Sequence, residues 1–217
     1  MRYFRLIFVV IFLGLVIYPF ACMDRSGGHK VTGLPWQIEI LPDGFTRVFG
    51  VVPGKSSLQE VVTILGDDYE LAIVENKDNT SLEMYFGHYR AGLMTAKMVL
   101  ASGVSDSVFL KWKQRAVKSE YMKSGVARKY SLAAEDIPAA MQSVIQTITF
   151  IPTVNLDEEI ILKRFGETAE VVEKKPEFTH YLFAEKGLAI AISNDKKDIL
   201  QYVVPEKFSK LRDPLLD

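Results

Sequence analysis

"SLQEVVTILG", residues 57–66, decides the architecture that the sequence predicts. Ser57 and Glu60 stand three apart, the spacing of a capping box, in which a hydroxyl and a carboxylate satisfy backbone N–H groups left open at a helix start. Leu58, Val61, Val62 and Leu65 recur at helical spacing on one face, and Gly66 supplies the stop. The stretch reads as a short amphipathic helix with one side to bury.

The pattern returns in "NLDEEIILKRFG", residues 155–166. Asn155 and Glu158 take the cap spacing, Leu156, Ile160, Ile161 and Phe165 form the apolar side, and Gly166 ends the run. Short runs of strand character follow each helix: "ELAIVE", "SLEMYFGHY" and "GLMTAKMVL" after the first, "AEVVEK", "FTHYLFA", "GLAIAIS" and "DILQYVV" after the second. The expected fold is therefore α+β, two related units of a helix on an antiparallel meander, joined by a helical connector. The expected boundaries are 36–103 for the first unit, 104–145 for the connector and 146–217 for the second unit. Ahead of the first helix, Pro42, Asp43 and Gly44 between "WQIEI" and "TRVFG" predict a hairpin turn.

Residues 1–21 read differently. Arg2 and Arg5 precede "LIFVVIFLGLVIYPFA", an apolar run followed by polar sequence, which is the order of a secretory signal peptide. The run is short of the roughly 20 residues that cross a bilayer, and an uncleaved membrane anchor of marginal length is the alternative. Residues 22–35 are polar and glycine-bearing, the composition of a flexible tether. Cys22 is the single cysteine among 217 residues, which excludes an internal disulfide and a Cys-rich metal site. His29, His88 and His180 have no ligand spacing, so no metal and no cofactor are expected.

Cys22, directly after the apolar run and the small Ala21, resembles the lipobox of bacterial lipoproteins, with Pro19 and Phe20 departing from the usual pattern. The resemblance implies that Cys22 is acylated and becomes the mature N-terminus. Met23 follows it where an Asp would imply inner-membrane retention, so the implied location is the cell envelope facing the periplasm, at the outer membrane. "PGKSSLQEVVTILG" in turn resembles the opening of the small outer-membrane lipoproteins of the β-barrel assembly machinery, through Gly54, Ser56 or Ser57, Val61, Leu65 and Gly66. The paired units resemble the β-lactamase-inhibitor proteins. The latter resemblance implies a concave sheet presented to a protein partner.

A charged fraction of 24% and an aromatic fraction of 11% describe a chain able to bury a core, and a formal charge of -1 gives no signature for nucleic acid. The largest local asymmetry runs from Lys111 to Lys129, seven Lys or Arg residues against Glu120 alone. Five of the seven fall within "DSVFLKWKQRAVKSEYMKSG", residues 106–125, predicted as a helix with Phe109, Trp112, Ala116 and Tyr121 along one stripe. A second short helix around "EDIPAAMQSV" would start at Asp136, with Pro138 in its first turn. A solvated face is one reading of the basic stretch, and contact with anionic headgroups or an acidic partner is another.

Catalytic signatures are weak. "GVVPGKS", residues 50–56, has one residue too few between its glycines for a phosphate loop. Asp67 with Asp68, and Glu158 with Glu159, are sequence neighbours that do not face one another. Asn79 begins a glycosylation sequon, relevant only in a eukaryotic secretory pathway. The expectation is a non-enzymatic binding or assembly module that meets a protein partner through sheet aromatics, Trp36, Tyr85, Tyr89, Tyr181 and Tyr202, and through Lys111, Lys113 and Lys118. The alternative is a membrane-anchored enzyme or small-ligand carrier with a pocket between the units.

Overall fold

The structure, a computed structural model, describes residues 32–123, 125–166, 170–174 and 177–216. Cys22, the apolar run and most of the tether lie outside the described residues.

The hairpin predicted around Pro42 to Gly44 is present, with β1 (Glu39–Ile40) antiparallel to β2 (Thr46–Arg47). The Phe45 N–H donates to Asp43 Oδ1 at 3.2 Å, and Gly44 sits at φ 82°. Next come α1 (Leu58–Leu65), β3 (Glu70–Glu75), β4 (Thr80–Ala91) and β5 (Met94–Ser102). The middle of the chain carries α2 (Asp106–Arg115), β6 (Lys118–Tyr121), β7 (Arg128–Ser131) and α3 (Ile137–Met141). Then follow β8 (Ile145–Pro152), α4 (Glu158–Phe165), β9 (Glu170–Lys174), β10 (Phe178–Phe183), β11 (Leu188–Ile192) and β12 (Ile199–Val203). The C-terminal segment turns through Pro205–Lys207, α5 (Ser209–Arg212) and Asp213–Leu215.

Ten strands make one antiparallel sheet in the order β6-β7-β3-β4-β5-β8-β12-β11-β10-β9. This overturns the expected α+β pair of helix-plus-meander units: the chain is mostly β, and strands from both halves share a single sheet. The joint is β8, which pairs with β5 on one side and β12 on the other. "IQTITFIP" lies at the expected unit boundary, where the sequence reading places no strand, and its Ile148 and Phe150 are fully buried.

Both eight-residue helices lie on the same face of this sheet, Leu58 and Val61 of α1 sharing one core with Ile161 and Phe165 of α4. The capping box of α1 is formed in full: the Ser57 N–H donates to Glu60 Oε2 at 2.8 Å, and the Glu60 N–H to Ser57 Oγ at 3.2 Å. In α4 the cap is Asp157 and not Asn155, its Oδ1 accepting from the Ile160 N–H at 2.7 Å. The Leu156 N–H, just ahead of this cap, donates to the buried carboxylate of Asp198. Both helices end at the predicted glycines, where the Gly66 N–H reaches the Val62 carbonyl and the Gly166 N–H that of Leu162.

The expected helix over 106–125 stops at Arg115. Beyond it the Val117 N–H donates to the Ser131 carbonyl, and the chain continues as the edge hairpin β6–β7. Only Phe109 and Trp112 of the expected stripe are buried; Tyr121 is exposed on the outermost strand. The short helix after Asp136 is present as α3, with Pro138 in its first turn. Asp136 makes no side-chain cap there.

Phe49 stands at the centre of the core. Its ring stacks on Phe150 with centroids 5.2 Å apart and meets Tyr202 and Tyr89 edge-on at 5.6 and 5.7 Å. The tight turn between Val48 and Val51 holds Phe49 at φ 54° and Gly50 at φ 82°, a positive-φ pair that a bulky residue enters only when packing holds it there.

Candidate functional site

All of α1 to α4 contribute buried residues to one core on the first face of the sheet. The second face follows from strand alternation. Met84, Phe86, Met98, Leu100, Ile148, Phe150, Leu200 and Tyr202 are buried in that core, so the residues between them point the other way. Over β10 to β12 the second face carries Leu182, Ala189 and Val203, which Phe208, Leu211 and Leu215 of the C-terminal segment cover.

Over β4, β5 and β8 no described helix covers it. Pairing there aligns Tyr85 with Val99, Val99 with Thr149 and Thr149 with Gln201. A parallel row runs Ala72, Glu83, Ala101 and Thr147. Most of these side chains are half-buried by their neighbours, and Gln201 is exposed. The patch offers one aromatic ring, two hydroxyls, an amide and a carboxylate among small apolar groups. Glu83 is oriented by the Ser81 hydroxyl, which donates to its Oε1 at 2.8 Å. Further along, His180 lies in register with Ala191 and Val172. Burial, and secondarily the charge of Lys174, holds the His180 imidazole below its ordinary pKa.

Of the aromatics predicted for a partner surface, Tyr85 alone belongs to this patch. Tyr202 is 1% exposed and Tyr181 3%, so both are core residues and not surface anchors. Alternation explains each: Tyr202 shares a face with Leu200, and Tyr181 with Phe183. Tyr89 would share a face with Tyr85, but the pairing of β4 with β5 slips between Phe86 and Tyr89 and turns the ring into the core. Burial raises the pKa of Tyr89. Trp36 packs edge-on against Phe165 at 6.4 Å, with the Arg164 guanidinium 4.9 Å from its ring centroid.

The basic stretch divides in two. Lys113 donates to Glu75, Lys129 pairs with Glu70 at 2.5 Å, and Lys118 pairs with Glu120 at 2.7 Å. Arg115 grips the buried Asp136 through two nitrogens and lies 3.2 Å from Glu135. Glu75 also accepts from the Tyr130 hydroxyl at 2.8 Å, and the bonds from Lys113 and then Tyr130 hold its carboxyl below the usual carboxylate range. Four of the seven cations are thus held by carboxylates, most of them distant in sequence. Lys111, on α2, is exposed and ion-pairs with no carboxylate among the described residues.

A dent of about 110 Å³, lined by Leu156, Glu177, Phe178, Thr179, Ile192, Ser193 and Asn194, belongs wholly to the C-terminal half. Ligand pockets start at roughly 300 Å³. Among the described residues, no three His, Cys, Asp or Glu side chains gather so as to hold a metal ion. No described helix is long and apolar enough to cross a membrane. No protein family, curated protein or solved structure was found to match the chain.

Proposed function

We propose that the chain is a cell-envelope lipoprotein, tethered through an acylated Cys22, which works without catalysis by holding another envelope protein against the uncovered part of its sheet. The observation that carries the binding reading is that part of the second face: a register-aligned patch centred on Tyr85, Val99, Thr149 and Gln201, where the same sheet is roofed over β10 to β12. Tyrosine is among the residue types enriched at interface centres, and threonine hydroxyls with a glutamine amide supply directional hydrogen bonds around it. The tether reading is supported by sequence alone, through Ala21 and Cys22 after the apolar run. The outer membrane is favoured by Met23 following the cysteine.

Photocrosslinking in native envelopes tests the surface. A crosslinker at Tyr85 or Thr149 is expected to capture one discrete protein, and the same group at Leu216, on the exposed C-terminal segment, is not. Equal or absent capture from both places rejects the patch. Metabolic labelling with a fatty-acid analogue tests the anchor: label is expected on the wild type and lost in Cys22→Ser, and persistent label rejects acylation at that thiol.

A further inference from the structure

The β6–β7 hairpin at the first edge of the sheet combines two features. Its exposed side chains include large apolar ones: Val117 and Val126 are 73% exposed, Tyr121 71% and Met122 41%. Three of these four gather at the turn end of the hairpin, Tyr121 in the last ladder pair opposite Arg128 and Met122 and Val126 beyond it. Natural sheet edges carry charge to discourage pairing, and this strand does so with the Lys118 and Glu120 pair. The turn instead carries tyrosine, methionine and valine.

The second feature is charge. Around this turn two cations have no carboxylate partner among the described residues, Lys123 and Arg128. Arg128 donates to the Ser119 hydroxyl at 2.9 Å, and its guanidinium lies 5.5 and 5.4 Å from the Tyr121 and Tyr130 rings. The nearby acids are engaged or offset: Glu75 by Lys113 and Tyr130, Glu120 by Lys118, and exposed Asp78 stands beside exposed Lys77.

From this juxtaposition we propose that the β6–β7 hairpin is a contact for an anionic lipid surface, with Tyr121, Met122 and Val126 entering the interface and Lys123 and Arg128 meeting headgroup phosphates. The contact goes beyond the partner surface of the preceding section and uses none of its residues. Tyrosine suits the boundary because its ring is apolar and its hydroxyl remains wet. Each cation near an anionic leaflet contributes about fivefold in partition. That is too little to anchor a protein alone and enough to fix the orientation of a tethered one. An acidic protein strand is the competing occupant; the grouping of apolar residues at the turn favours the lipid surface.

The full chain carrying Cys22→Ser and Met122→Cys, with a polarity-sensitive fluorophore on the new thiol, is reconstituted into vesicles of phosphatidylcholine alone or mixed with phosphatidylglycerol. Both vesicles hold the chain through its own apolar segment, so the label reads only the hairpin. The expected result is a blue-shifted emission, accessible to a lipid-borne quencher, in the anionic vesicles alone, reversed by high salt. Adding Lys123→Glu changes the local charge by two units and is expected to lower the hairpin's partition into the interface about 25-fold. Tyr121→Ser is expected to remove the shift as well. On the unlabelled wild type, hydrogen exchange of the hairpin amides is expected to slow only in anionic vesicles, which guards against an artefact of the label. An aqueous emission in both vesicles, an equal shift in both, or a shift that requires added envelope proteins overturns the proposal. None of these outcomes bears on crosslinking from Tyr85.

Discussion

The second face of the sheet is built in two ways. Over β10 to β12 its side chains are Leu182, Ala189 and Val203, and the last residues of the chain fold back so that Phe208, Leu211 and Leu215 cover them. Over β4, β5 and β8 its side chains are Glu83, Tyr85, Val99, Thr147 and Thr149, and none of the described helices covers them. The same backbone ladder runs beneath both. The difference teaches that cover follows side chains: where alternation leaves apolar groups on both faces, the sheet needs a second layer, and where it leaves hydroxyls and a carboxylate, water or a partner suffices.

The sharpest way to break the comparison is at the covered end. Gly187 sits at φ 62°, and a Cβ there would lie 2.1 Å from the Val203 carbonyl oxygen, a backbone atom that β12 cannot move without losing its pairing. Gly187→Ala is expected to cost about 4 kcal/mol, strain and clash together, read as a fall in the denaturant midpoint. An unchanged midpoint would mean the C-terminal roof is not fixed as described. Phe208→Ala is expected to cost about 3 kcal/mol, since it opens the second core. By contrast, Thr149→Ala on the uncovered part is expected to stay within about 0.5 kcal/mol. If the two losses are alike, the two parts of the face are not different in kind.

Smaller effects sharpen the contrast between near and distant partners. Ser57→Ala and Asp157→Ala each remove one helix cap and are expected to cost about 1 kcal/mol; Asn155→Ala, which removes none, should cost far less. A loss in Asn155→Ala equal to that in Asp157→Ala would overturn the shifted start of α4. A further small effect is at Glu75, whose carboxyl is depressed by Lys113 and Tyr130. A depressed carboxyl adds stability above the ordinary carboxylate range and loses it as pH falls through the folded value. Partial exposure limits the contribution to about 1 kcal/mol or less. Stability of the wild type should therefore decline in acid more steeply than that of Glu75→Gln, and identical acid profiles would show the pair to be idle.

Local features were legible in the sequence: the capping box at Ser57, both stops at Gly66 and Gly166, the hairpin at Asp43, and the strands of alternating pattern. Each depends on residues within one turn of each other. What joins the halves was not read, because β8 lies at the boundary where the helical connector is expected to end and the second unit to begin, although Ile148 and Phe150 alternate with Thr147 and Thr149 as a strand requires. The face of an aromatic was legible only where alternation is unbroken. It would have placed Tyr202 inside with Leu200, but the slip after Phe86 that turns Tyr89 inward is marked in "SLEMYFGHY" only by Gly87, a lone glycine within a strand. The basic stretch misled for a further reason. Its carboxylate partners Glu70 and Glu75 precede it by dozens of residues, and a charge count over a window cannot include them.

The central place of β8 also has a kinetic consequence. Its partners on both sides, β5 and β12, are each more than forty residues away along the chain. Contacts of such high order close slowly, on a scale of milliseconds to seconds rather than microseconds, because the loops between must lose their freedom before the pairing repays it. Until β8 is seated between them, β5 and β12 each present an open edge bordered by large apolar side chains, the state in which a nascent chain is most exposed to aggregation. Early engagement of a holding chaperone with these two edges is therefore expected to matter more to the yield of this protein than any single side-chain contact in its finished core.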